Sequence, residues 1–127
     1  MTGTHRLLLV DKSAFVRGGG AATDPGELCL CAVTRMELLY CARSSDDFQV
    51  LTEHLDAFRE LRVDAETLAI AAGAQRELAG LGQHRVALPD LLVAACAQQH
   101  AADVLHVDRH FAVLARVLSF EPVRLDG

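Results

Sequence analysis

Four carboxylic acids set the chemistry open to this chain: Asp11, Glu37, Asp90 and Asp108. Each stands against an apolar run, in Leu7-Leu8-Leu9-Val10-Asp11, Thr34-Arg35-Met36-Glu37-Leu38-Leu39, Asp90-Leu91-Leu92-Val93 and Val104-Leu105-His106-Val107-Asp108. Like charges brought together raise one another's pKa and destabilise a fold unless a cation sits among them. The chain has one lysine, Lys12, to neutralise them, so their convergence points to a bound metal. All-oxygen ligand sets suit hard ions such as Mg²⁺ or Mn²⁺, which keep several waters and are completed by substrate phosphates. Phosphodiester hydrolysis is the reaction that most needs such a site, because one ion generates the attacking hydroxide while a second stabilises the leaving oxygen about 4 Å away.

The elements that would position these acids follow from hydrophobic periodicity. Leu7 to Val10 reads as a strand covered on both faces, which belongs in a parallel sheet between helices, with Asp11 at its carboxyl end. A short helix marked by Phe15 and Val16 is followed by Arg17 to Gly26, which has the composition of a surface loop and lacks the glycine and lysine spacing of a phosphate-binding loop. A strand over Glu27 to Cys31 leads into a helix with Val33, Met36 and Tyr40 on one face. Phe48, Leu51, Leu55 and Phe58 predict a helix begun near Ser45 or Asp46, and Arg62-Val63 a short extended piece. From Asp64 a long helix carries Leu68, Ala71, Leu78 and Leu81 and is closed by Gly80 and Gly82. The helix after Pro89 is apolar on every side and must be central, the next strand ends at Asp108, Phe111, Leu114 and Leu118 mark a last helix, and Pro122 to Leu125 is an edge strand. The expected fold is a single α/β domain over residues 1–127, its central, mostly parallel sheet flanked by helices, with all four acids at one edge. Each acid also has a plain structural role open to it: Asp11 and Asp108 as helix caps, Thr34-x-x-Glu37 as a capping box, Pro89-Asp90 as a helix start.

Composition narrows the partners. A net charge of -5, with Lys12 the one lysine beside eleven arginines, argues against holding a polyanion by bulk attraction, so a nucleic acid would have to be gripped locally. Arg35, Arg43 and Arg109 lie near the acids in sequence and offer planar forks for RNA phosphates, or else pair with Asp46, Asp47 or Glu60. With no tryptophan, one tyrosine and mostly core phenylalanines, base stacking has few platforms, and selectivity would come from the shape of an RNA. His106-x-Asp108-x-His110 offers a competing transition-metal cluster, but alternation ends where the helix begins, so the rings need not converge. His5, His54, His84 and His100 read as surface residues. Cys29, Cys31, Cys41 and Cys96 lack zinc spacing and read as buried small hydrophobes in a reducing compartment. No apolar run approaches the roughly 20 residues of a membrane span, and the segment between Arg6 and Asp11 is too short for a signal peptide, so the cytoplasm is the expected location.

Asp11-Lys12-Ser13-Ala14, Val33-Thr34-Arg35-Met36-Glu37-Leu38, Pro89-Asp90-Leu91-Leu92-Val93-Ala94-Ala95 and His106-Val107-Asp108-Arg109-His110-Phe111 resemble, in that order, the motifs of the PIN-domain family. A domain of this size is similar to the VapC-type toxins of bacterial toxin-antitoxin pairs, which are Mg²⁺- or Mn²⁺-dependent ribonucleases neutralised by a VapB-type antitoxin. The resemblance implies metal ligation and catalysis by Asp11, Glu37, Asp90 and Asp108, with Ser13 a polar helper, together with homodimerisation and an antitoxin arginine that reaches the acids. Lys12 departs from the small polar residue expected there, and as a strand neighbour of Asp11 it is expected to point to the opposite face. A phosphoacceptor receiver domain would need a second acid beside Asp11 and a late lysine, and a dehalogenase-like phosphatase would need Asp-x-Asp; neither pattern is present. The alternative is a PIN-like module that binds protein and catalyses nothing.

Overall fold

The computed structural model describes residues 6–18 and 26–125; His5 and most of the glycine-rich loop, residues 19–25, lie outside them. Strand β1 (Leu7–Val10) runs between β2 (Glu27–Cys31) and β4 (Asp103–His106), and β3 (Arg59–Leu61) and β5 (Pro122–Arg124) form the edges of a five-stranded parallel sheet in the order β3-β2-β1-β4-β5. Side chains alternate across a strand, so each inner strand feeds two cores. Leu9, Cys29, Cys31 and Val104 pack on one side against α4 (Ala65–Gly80), α5 (Leu88–Gln99) and α6 (His110–Leu114). Val10, Leu30 and Leu105 pack on the other against Ala14 of α1 (Lys12–Phe15), Leu38 of α2 (Ala32–Tyr40) and Leu55 of α3 (Ser45–Leu55).

Helix α5 is the most deeply placed, with Leu91 and Val93 to Ala97 all buried; its alanines and Cys96 let it lie close to the sheet and to α4. At its far end Gln99 meets the start of α4, donating to Asp64 Oδ1 at 2.9 Å and accepting from the Thr67 hydroxyl, so the two helices run antiparallel. Asp64 also caps α4 in a reciprocal capping box with Thr67.

Several expectations shift. The extended piece anticipated at Arg62-Val63 is the strand Arg59–Leu61, paired with Cys29 to Cys31. Only Leu61 of that edge strand is buried, so its sequence carries little apolar signal. Leu68 and Leu81 are exposed, and the buried face of α4 is Thr67, Ala71, Ala74 and Leu78. Cys29, Cys31 and Cys96 are buried as expected, whereas Cys41, at the end of α2, is exposed. Met36 and Tyr40 share a face of α2 with Val33, but that face is open: Met36 is 63% exposed and Tyr40 90%. No helix among the described residues is long and apolar enough to cross a membrane.

The end of α4 separates two glycines by function. Gly82 has φ +70 and closes the helix, its N–H donating to the Ala79 carbonyl while Gln83 N–H reaches back to Leu78. Gly80 is helical, and a methyl group there would meet nothing within 4 Å. Gly82→Ala is expected to cost about 1 kcal/mol and lower the melting temperature by about 4 °C, whereas Gly80→Ala raises it, because a helical alanine is favoured over glycine by up to about 1 kcal/mol. Thermal unfolding followed by circular dichroism checks the opposite signs.

Candidate metal centre

The acids meet because of where the elements end. Asp11 follows β1 directly, and its backbone N–H extends the ladder to the Leu105 carbonyl of β4 at 2.9 Å. Its side chain is fixed by the next turn: Asp11 Oδ2 accepts from Ser13 N–H at 3.0 Å and from the Ser13 hydroxyl at 2.7 Å. The same hydroxyl oxygen accepts from Val107 N–H at 3.1 Å, so Ser13 joins the chain beyond β1 to the chain beyond β4. Asp108 stands in that second stretch, and its Oδ1 accepts from His110 N–H at 2.9 Å where α6 begins.

Helices supply the other two. Asp90 lies in the first turn of α5, behind Pro89, and Glu37 lies midway along α2, on the strand β2 side of β1. The Thr34-x-x-Glu37 capping box does not form: α2 starts at Ala32 behind Cys31, and Thr34 is buried inside the helix. Glu37 is therefore free of capping duty and lines, with Asp11, Asp90 and Asp108, a cavity of about 340 Å³ that Lys12, Ser13 and His110 also border.

The electrostatics carry the mark of crowded acids. Burial, helped by the charges of Asp11 and Asp108, pushes the Asp90 carboxyl up to about 6 against the pull of a hydrogen bond from His110. Burial and the Asp11 charge likewise raise Glu37, with Lys12 opposing. His110 Nδ1 stands 3.1 Å from Asp90 Oδ2 and 3.6 Å from Asp108 Oδ1. One donor atom each from Asp90, Asp108 and His110 lie within 4.8 Å of one another. Part-buried carboxylates with one imidazole, in a cavity that leaves two of the acids reluctant to ionise, form a donor set that fits a hard divalent cation.

The structure thus brings Asp11, Ser13, Glu37, Asp90 and Asp108 together and leaves the three arginines outside the cavity. Arg35 is engaged by Asp56 of the turn after α3, a partner the sequence did not single out. Arg43 is exposed, and its backbone N–H, not its guanidinium, bonds Asp47. Arg109 is exposed between Asp108 and His110. The histidines part as expected, His106 buried against Phe111 and His110 at the acids. His110 as a member of the site was missed; its position two residues after Asp108 was the available signal. Lys12 corrects a second expectation: it is the first residue of α1, not a strand residue, and it borders the same cavity as Asp11.

The raised Asp90 value has a signed consequence. The folded chain holds that proton to higher pH than the unfolded one, so in chelated protein stability falls as pH rises from about 4 to about 6, by roughly 1–3 kcal/mol. Asp90→Asn is expected to raise the melting temperature in chelator by several degrees at pH 8 and to leave it nearly unchanged at pH 4, as read by calorimetry at the two pH values.

Three comparisons bear on this geometry. Residues 9–117 match the family model described as the PIN domain. The chain is 38% identical over 117 residues to Ribonuclease VapC17 of Mycobacterium tuberculosis, covering 86% of this chain and 87% of that protein. It is 35% identical over 100 residues to Ribonuclease VapC18 of the same organism, covering 76% and 73%. Among solved structures, that of VapBC-5, from the VapBC family of toxin-antitoxin systems of Mycobacterium tuberculosis, superposes with a TM-score of 0.72 at 27% identity, covering 94% of this chain and 99% of that one.

Proposed function

Since the chain belongs to the PIN-domain family, we propose that it is a metal-dependent endoribonuclease, the toxin of a VapBC-type pair, built as one domain over residues 1–127. The observation that carries this reading is the single cavity lined by four carboxylates from four separate elements at the carboxyl ends of parallel strands. Mg²⁺ or Mn²⁺ is the ion whose chemistry matches those oxygens, and when bound it supplies an activated water and charge to stabilise the leaving oxygen. Asp11, Asp90 and Asp108 would hold it. Glu37, kept basic by burial, orients the attacking water and takes up its proton. Ser13 fixes the Asp11 carboxylate, and His110, with Nδ1 3.1 Å from Asp90 Oδ2 and 3.6 Å from Asp108 Oδ1, positions those two carboxylates. No side chain forms a covalent intermediate. Arg43 and Arg109 are the exposed arginines assigned to RNA phosphates, whereas Arg35 reaches them only by leaving Asp56.

Asp11→Asn is expected to abolish RNA cleavage in Mg²⁺ or Mn²⁺ while leaving the circular dichroism spectrum unchanged. Cleavage that survives in this variant overturns the site, and a wild-type chain that neither binds Mn²⁺ nor cuts RNA is a protein-binding module with no turnover.

The relatives' names and the VapBC-5 structure support a VapB-type antitoxin as partner; action as a homodimer in the cytoplasm is part of the same proposal. A cavity of four acids is a natural receptor for an arginine from that partner. Saturating antitoxin is therefore expected to weaken Mn²⁺ binding at least tenfold by calorimetric titration, and an unchanged affinity counts against this mode of inhibition.

A further inference from the structure

The open face of α2 continues directly from the acids. Val33, Met36 and Tyr40, with Leu92 of α5, line an apolar groove of about 520 Å³ whose remaining walls are Lys12 and Glu37. Both of these also line the acidic cavity, so the two spaces share a wall made of one cation and one acid. The groove has the size of a small-ligand site. Its outermost residue is the one tyrosine of a chain that has no tryptophan, and it is 90% exposed. Among the phenylalanines, Phe111 is fully buried, Phe15, Phe58 and Phe120 are half-buried, and Phe48 lies on α3, away from the site.

An aromatic ring so exposed contributes little to the fold and offers a flat surface to a ligand. The neighbouring cavity takes a phosphodiester in the reading above, and the shared wall of Lys12 and Glu37 makes the groove the adjoining space for the next nucleotide. We infer that the Val33–Met36–Tyr40–Leu92 groove is a subsite for an unpaired nucleobase next to the scissile phosphate, so that the RNA is taken in single-stranded form. This rests on the nuclease reading and adds a stacking contact to the recognition by shape that composition alone allowed. Lys12, on the boundary, bonds the phosphate that joins the stacked nucleotide to the reacting one, while Met36 and Leu92 close the lower side of the base against water. A paired base is excluded, because its face is already covered in the duplex.

The composition supplies its own probe: all tyrosine emission of this chain arises from residue 40. The full chain is titrated in Mg²⁺ with a ten-nucleotide unstructured RNA and with the same RNA annealed to its complement, using free tyrosinamide to correct for absorption. The single strand is expected to quench the emission saturably and the duplex not to. In parallel, the anisotropy of end-labelled RNA is expected to show Tyr40→Ala weakening binding roughly ten- to a hundredfold, the loss of one stacked base, with Tyr40→Phe restoring it. RNA that is bound or cut with no change in emission, or a Tyr40→Ala affinity within twofold of the wild type, overturns the subsite and leaves the nuclease reading standing. Saturable quenching without cleavage overturns the nuclease reading and, with it, the place of this groove beside a scissile phosphate. Emission that responds to an antitoxin segment and not to RNA makes the groove a protein-docking face and removes the proposal.

Discussion

The Asp11 carboxylate is 3% exposed at the tip of the central strand, and an anion so placed must be compensated by donors or by a cation. Ser13 supplies two hydrogen bonds, both to one oxygen. Three further acids then share the space, and the raised values of Asp90 and Glu37 express burial first and the company of the other acids second. The two apolar layers that enclose the sheet provide the stability that offsets this repulsion. A cavity held in an electrostatically unfavourable state by the rest of the fold is one that gains most from a divalent ion.

The same groups serve structure and chemistry at once. Asp11 caps α1 as the sequence allowed, whereas the N-cap position of α6 is Arg109 and Asp108, one residue earlier, accepts from the His110 N–H; neither arrangement excludes ligation. These bonds occupy Oδ2 of Asp11 and Oδ1 of Asp108, while each carboxylate has a second oxygen. Glu37 differs, since the cap proposed for it is absent and it shares its wall of the cavity with Lys12.

How much of this was legible follows from what burial does to sequence. The inner strands announced themselves because both faces meet apolar layers, and the acids at their ends stood out against that background. Strand β3 did not, because at the edge only Leu61 turns inward between Arg59, Glu60 and the flanking polar residues. Thr67 takes a core position on α4 because its hydroxyl is satisfied by Asp64 and Gln99, while the nearby Leu68 is left outside. The face of Val33, Met36 and Tyr40 has the same periodicity whether or not something covers it, so the pattern located the face and said nothing of its exposure. His110 was hidden for another reason: its place beside Asp90 depends on a contact between residues 20 apart in the chain.

Ser13 has a mechanical consequence. Its hydroxyl is bonded at once to Asp11 and to the backbone of Val107, while the Asp11 amide is bonded to Leu105, so the two neighbouring strand tips are laced to each other. The span between the first and last acids is thereby set before any ligand enters. Asp90 and Glu37 ride on α5 and α2, outside this lacing. The width of the cup is therefore set in two ways, by hydrogen bonds between strand tips for Asp11 and Asp108 and by the side-chain packing of α5 and α2 for Asp90 and Glu37.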